Sequence, residues 1–378
     1  MRKLMFIMES LAGGGAERAI IELLNNFDYT KYSVTLCVIF GSGIYTTKVP
    51  SQVQLINIFV DEDSSFRVSL KNRALKYYRK RGSTWLMKYL IRRKVRKRKY
   101  DVIVSFMEGY PVIFHSLICE WSSKNISWIH CDLGTYHWTK NFFRDLRDER
   151  YCYEKMDELV FVSSNAMKAF ECLYDISVPK ECIYNVIDVE RIRELAEAFN
   201  ITYDRLTITL IGSLYKVKGY DRVIRVAKML KDDGYSFRFQ ILGNGEELEA
   251  LTQLKNEMGV QEEVSFLSFQ KNPYPYLKQS DIFVSSSLSE GLSLVICEAL
   301  ALSVPVVATK TAGSMELLDD GKYGVLAEQD DHSLYEAIKK LMDDIELRDY
   351  YREKASARIK IFEVQQTMQK VYNIIDKK

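Results

Sequence analysis

Short apolar runs alternating with amphipathic helical stretches constrain this chain more than anything else in it, because such alternation is the signature of parallel βαβ units. A first series of strand-like runs comprises Lys3–Met8, Ser33–Ile39, Asp101–Phe106, Ile126–His130 and Glu158–Val162. Helical periodicity lies between them, as over Ala16–Phe27 and Arg144–Lys155. Strand character lapses across Asp188–Tyr203. A second series then runs Leu206–Ile211, Phe237–Leu242, Val264–Leu267, Ile282–Ser285 and Val304–Ala308. The expected fold class is therefore α/β, with two Rossmann-like, doubly wound parallel sheets. Such sheets bind ligands beyond the carboxyl ends of their strands, so an active site is expected in a cleft that both sheets face.

Composition narrows what the two sheets serve. A chain of 378 residues with 47% hydrophobic and 28% charged residues has the make-up of a folded protein with two cores. Its seven cysteines include no C-x-x-C pair and its four histidines are never paired at helical spacing, which excludes a zinc site or a disulfide framework by pattern. Reduced core cysteines in a cytoplasmic protein are expected. The run Leu4–Met8 after Met1-Arg2-Lys3 stops at Glu9, too short for a secretory signal, and reads as a buried first strand. No segment approaches the ~20 apolar residues that span a bilayer.

Three loops have the chemistry to hold a phosphate. The first strand ends in Glu9-Ser10-Leu11-Ala12-Gly13-Gly14-Gly15-Ala16-Glu17-Arg18, where glycines ahead of a helix let backbone amides approach an anion. This is neither a Walker loop nor G-x-G-x-x-G, and a plain strand-to-helix turn accounts for it equally well. The second series opens with Gly212-Ser213-Leu214-Tyr215-Lys216-Val217-Lys218-Gly219, putting Lys218 at a helix start. Gly243-Asn244-Gly245 follows the next strand and suits close approach to a nucleotide, or simply a turn.

The stretch Ser289-Glu290-Gly291-Leu292-Ser293-Leu294-Val295-Ile296-Cys297-Glu298 is the most specific. A strand ends, a polar loop carries Glu290, and an apolar helix expected to start near Leu292 carries Glu298. At 1.5 Å per helical residue the two acids stand on the order of 10 Å apart, about the hexose-to-ribose span of a nucleotide diphosphate sugar. The N–H groups of Gly291, Leu292 and Ser293 would then face the phosphates, aided by the helix dipole. Glu290 would accept from sugar hydroxyls and Glu298 from the ribose diol. A carboxylate flanked by Ile296, Cys297, Ala299 and Leu300 needs a specific partner.

Glu290 to Glu298 resembles the Glu-x7-Glu motif of the retaining glycosyltransferases of family 4, which have the GT-B fold. Gly13-Gly14-Gly15-Ala16-Glu17-Arg18 resembles that family's first glycine loop, and Trp128-Ile129-His130 its mid-domain histidine strand. Tyr184-Asn185-Val186-Ile187-Asp188, Gln270–Tyr276 and Pro305-Val306-Val307-Ala308-Thr309 also match, in order, over most of the chain. The resemblance implies an acceptor-binding domain at 1–195, a nucleotide-sugar domain at 196–359, and a helix near 360–378 packing back on the first. It implies a catalytic set of Glu290, His130 and Lys218. Donor binding would fall to Gly14, Gly15, Ser213, Lys218, Gly243, Gly291, Leu292, Ser293 and Glu298. Many members have Arg where this chain has Ser213, and Lys216 is the nearest replacement. No cofactor or metal is implied; Asp61-Glu62-Asp63 has D-x-D spacing but is read as chance. The implied reaction is retaining transfer from a nucleotide diphosphate sugar, UDP-linked by expectation. The rivals are a nucleotide-sugar epimerase and a non-catalytic sugar-nucleotide-binding partner.

A net charge of +2 conceals a segment, Arg67–Lys99, with fifteen Lys and Arg and no Asp or Glu. Leu70, Leu75, Tyr77, Tyr78, Trp85, Leu86, Tyr89, Leu90 and Ile91 are interleaved with the cations. That mixture suits an anionic membrane surface, with apolar side chains entering the interface and cations meeting headgroups. The expectation is peripheral attachment to the inner face of the cell membrane and a lipid-linked saccharide acceptor. Nucleic acid is not an expected partner, because the remainder of the chain is acidic.

Overall fold

The computed structural model describes residues 1–41, 43–59, 65–95 and 99–377, with side chains left out also at 65–72. Asp61, Glu62 and Asp63 lie outside the described residues, as do the side chains of Arg67 and Leu70.

The chain forms two compact units, Met1–Val186 with Val364–Lys378, and Ile187–Glu363. Unit 1 contains β1 (Arg2–Met8), β2 (Tyr32–Phe40), β3 (Gln54–Phe59), β4 (Tyr100–Ser105), β5 (Ser122–Ile129), β6 (Glu158–Phe161) and β7 (Lys180–Cys182). They form one seven-stranded sheet in the order β3-β2-β1-β4-β5-β6-β7, parallel throughout. Unit 2 contains β8 (Leu206–Ile211), β9 (Phe237–Leu242), β10 (Val264–Phe266), β11 (Ile282–Ser285), β12 (Val306–Thr309) and β13 (Val325–Ala327). These give a six-stranded parallel sheet in the order β10-β9-β8-β11-β12-β13.

Both sheets reverse direction of build beside their first strand, between β1 and β4 and between β8 and β11. The loops leaving those strands therefore diverge to opposite faces and leave room for a ligand at the carboxyl edge. Helices cover both faces, which is why the central strands read as unbroken apolar runs: Leu4–Met8 is fully buried.

The helix Val189–Ala196 packs on the helices Tyr274–Lys278 and Leu294–Ala301 within unit 2. The last helix, Val364–Asp376, returns to unit 1. Tyr372 stacks on Tyr32 at 5.4 Å and meets Phe27 edge-on at 5.5 Å. Arg2 pairs with Asp376 at 2.6 Å, and the Lys124 ammonium donates to the Ile374 carbonyl at 2.6 Å.

Candidate active site

In unit 2 the site is built at the reversal between β8 and β11. The chain leaving β8 passes through a single turn of 3-10 helix, Lys216–Lys218, and starts the helix Tyr220–Asp232. Gly219 links them at φ +63°, and a Cβ there would stand 2.4 Å from the Ser286 carbonyl oxygen. Only glycine satisfies both the backbone angle and that approach. The contact brings the Lys218 loop against the loop after β11. The Leu288 N–H donates to the Val217 carbonyl at 2.8 Å, and the Ser286 hydroxyl to the Lys218 carbonyl at 2.7 Å.

The side chains then meet. The Lys218 ammonium is ion-paired with Glu290 Oε1, which also accepts from the Ser287 hydroxyl at 2.9 Å. Lys218 keeps 29% of its side-chain exposure and Glu290 15%, so the pair is open to a ligand but partly shielded from water. An ammonium and a carboxylate in this position can exchange each other for a phosphate and a sugar hydroxyl.

Beyond Glu290, the helix starts at Leu294 and not at Leu292, with Ser293 as an extended N-cap residue. Gly291–Ser293 is therefore the approach to the helix rather than its first turn. Leu292 and Ser293 are buried, as is Glu298 in the helix itself, 1% exposed. The Tyr274 hydroxyl stands 3.5 Å from Glu298 Oε1. Ser213 is half-buried after β8 and its carbonyl accepts from the Tyr215 N–H, while Lys216 is exposed. Gly243 has φ +153° and packs so closely that a Cβ would lie 1.9 Å from the Gly212 carbonyl oxygen. Its N–H donates to the Ser268 carbonyl at 2.9 Å, so its amide is already engaged.

The unit 1 candidates gather where β1, β4 and β5 end. Gly14 is the N-cap of the helix Gly15–Asn25. Of Gly14 and Gly15, the two glycines expected to meet a phosphate, Gly14 has its amide taken internally: the Glu17 carboxylate accepts from the Gly14 N–H, from the Gly13 N–H at 2.7 Å and from the Ser10 hydroxyl. Neither Glu17 nor Glu108 was singled out from sequence. The clue to Glu17 was its spacing, three residues after the N-cap, where an acid folds back on the helix start. Glu108 follows β4, fully buried; it accepts from the His130 N–H at 3.0 Å and from the Trp138 indole N–H at 3.2 Å. Its clue was an acid in the strand-to-helix loop after a strand that borders the reversal.

His130 lies at the end of β5, 8% exposed, with its ring 4.8 Å from that of Phe106. Burial pushes its pKa down to about 3, so the imidazole is neutral at physiological pH. Its Nε2 is buried without a hydrogen-bond partner among the described residues.

The basic segment forms two helices, Ser65–Arg81 and Trp85–Val95. Leu86, Met87, Leu90, Ile91 and Tyr78 are buried in the core of unit 1, which corrects the expectation that the leucines face a membrane. Trp85 (63%), Tyr89 (53%) and Tyr77 are the aromatic side chains left exposed, beside Lys76, Arg92 and Arg93. No helix among the described residues is long and apolar enough to cross a membrane.

Two parallel doubly wound sheets, each with loops gathered at its reversal, are the architecture of the GT-B fold. A solved structure of Anabaena HepE in complex with UDP and glucose matches the whole of both chains with a TM-score of 0.75 at 18% identity. Residues 192–358, within the second unit, match the family model of glycosyl transferases group 1. Over 375 residues, 96% of each chain, it is 28% identical to the Campylobacter jejuni N-acetylgalactosamine-N,N'-diacetylbacillosaminyl-diphospho-undecaprenol 4-alpha-N-acetylgalactosaminyltransferase. It is 24% identical to an uncharacterized glycosyltransferase of Haemophilus influenzae, over 90% of each chain.

Proposed function

We propose that this glycosyltransferase retains anomeric configuration, takes a hexose or N-acetylhexosamine from a UDP-sugar, and passes it to a lipid-linked saccharide in surface polysaccharide synthesis. The observation that carries the reading is the Lys218–Glu290 pair at the reversal of the second sheet, followed by the buried Glu298. Donor binding exchanges the pair: Lys218 turns to the diphosphate, and Glu290 accepts from the hydroxyls of the transferred sugar. Glu298 reads the ribose. As the sugar–phosphate bond breaks, negative charge grows on the leaving UDP, and Lys218 with the amides of Gly291–Ser293 stabilises it where it forms. The leaving phosphate takes the acceptor proton on the same face. The Lys218 ammonium makes a metal unnecessary, so chelators leave the rate unchanged.

The UDP and the lipid-linked acceptor have their support in relatives. The HepE complex holds UDP and glucose, and the Campylobacter enzyme is named for a diphospho-undecaprenol acceptor. The membrane reading rests on the cations of Arg67–Lys99 together with exposed Trp85, Tyr89 and Tyr77. At ~1 kcal/mol per basic residue near an anionic surface, a few of them suffice to hold the protein at the inner leaflet. The test is thermal stabilisation across a panel of UDP- and GDP-sugars, followed by transfer of the stabilising sugar to a diphospho-polyprenol-linked saccharide. Stabilisation by GDP-sugars alone, or inversion of the anomeric centre in the product, would refute the reading.

A further inference from the structure

A contact network in unit 2 reaches the Lys218–Glu290 pair from a residue outside every motif above. After β13 the chain runs Glu328-Gln329-Asp330 into the helix Asp331–Asp343. The Gln329 side-chain amide donates to the Ser287 carbonyl at 3.1 Å and to the Lys310 carbonyl at 2.8 Å. The first lies in the loop that carries Glu290 and the second just beyond β12. The other end of Gln329 is gripped by the Arg222 guanidinium: Nη1 donates to Gln329 Oε1 at 3.0 Å and Nη2 to its main-chain carbonyl at 2.9 Å. Arg222 is buried in the first turn of the helix Tyr220–Asp232, directly after Lys218-Gly219, and faces Asp331 at 3.5 Å.

The Lys218 loop and the Glu290 loop are thus tied twice. One tie is direct, through Ser286 and Leu288. The other runs Lys218 helix, Arg222, Gln329, Ser287. We infer that Gln329, held by Arg222, is a positioning residue that sets the Glu290 loop against Lys218 for the diphosphate. The inference rests on the function proposed above, in which Lys218 is the diphosphate ligand. A planar amide suits the place because it offers an acceptor to the guanidinium and donors to carbonyls, and no other uncharged side chain of that length does both. Gln329 is itself exposed, so substituting it removes the tie without opening the core.

The experiment measures UDP affinity by calorimetry in a double-mutant cycle. Gln329→Glu keeps an acceptor for Arg222 and replaces the N–H donors with a charged oxygen facing the two carbonyls; Gln329→Ala removes both side-chain functions without adding charge. In the parent protein each is expected to weaken UDP binding roughly tenfold, the worth of a lost orienting hydrogen bond. In a Lys218→Ala background each is expected to change it less than twofold, because the group being positioned is gone. Equal weakening in both backgrounds, or weakening in neither, overturns the positioning role. UDP affinity unchanged by Lys218→Ala alone instead overturns the function proposed above and takes this inference with it.

Discussion

Charge decides what individual residues do here. Lys218 is the group nearest a departing diphosphate in the proposed reaction, and Glu298 is a carboxylate held at 1% exposure on an apolar helix. Replacing either with Ala removes charge-assisted bonds that strengthen toward the transition state, so transfer should fall at least ~100-fold in each variant. Circular dichroism and initial rates on the same preparations check this; near-parent turnover in both variants would remove the site. Glu17 makes a different case. Its carboxylate serves Ser10, Gly13 and Gly14 inside unit 1, the work an anion does at a helix start. Glu17→Ala should cost about 1–2 kcal/mol in urea unfolding from the lost cap and the stranded amides. Glu290 and Glu298 were legible in the sequence because their relation is local, a loop acid and a helix acid with a fixed spacing. Gln329 was not, because its partners stand at 222, 287 and 310 and only the sheet order brings them together.

At the scale of elements, burial on both faces determined what could be read. Leu206–Ile211, Phe237–Leu242 and Ile282–Ser285 were read with the bounds the strands have, since interior strands of a parallel sheet are continuous apolar runs. The strands the pattern missed are β3, β7 and β13, which are outer strands of their sheets. β7 is Lys180-Glu181-Cys182, with none of the three buried, so no apolar run marks it. The helix Trp85–Val95 shows the opposite ambiguity: leucines among cations read as membrane-seeking, yet Leu86, Leu90 and Ile91 pack into unit 1. That division makes the membrane proposal separable from the fold. Trp85→Ser with Tyr89→Ser should lower flotation with anionic vesicles severalfold and leave the melting temperature within a degree or two, because both rings are exposed. Leu90→Ser should instead destabilise the protein by ~2 kcal/mol or more, through the core. Flotation unaffected by the aromatic pair at low salt would end the membrane reading.

For the whole molecule, two units whose sheets share the order of their first six strands pose the question of whether they lose structure together, and histidine gives a handle on one of them. His115 and His130 are both buried in unit 1. His115 is fixed between the Ser105 hydroxyl and the Asn125 side-chain carbonyl, each at 3.0 Å. Burial lowers its pKa to about 4, and that of His130 to about 3. In the unfolded chain both rings take up a proton near pH 6.5, while in the folded chain they remain neutral well below that. Between those limits the unfolded state binds more protons, so stability is full above about pH 6.5 and is lost as the pH falls toward the folded values. At pH 5 each histidine should have cost on the order of 2 kcal/mol relative to pH 7.5. All four tryptophans, Trp85, Trp121, Trp128 and Trp138, belong to unit 1, so indole fluorescence follows that unit alone while circular dichroism follows both. Urea titrations at the two pH values should show the fluorescence midpoint falling on acidification, and His115→Asn should remove about half of that fall. A fluorescence midpoint that does not move between pH 7.5 and 5 would mean that the two rings are reached by water and protonate without loss of the fold.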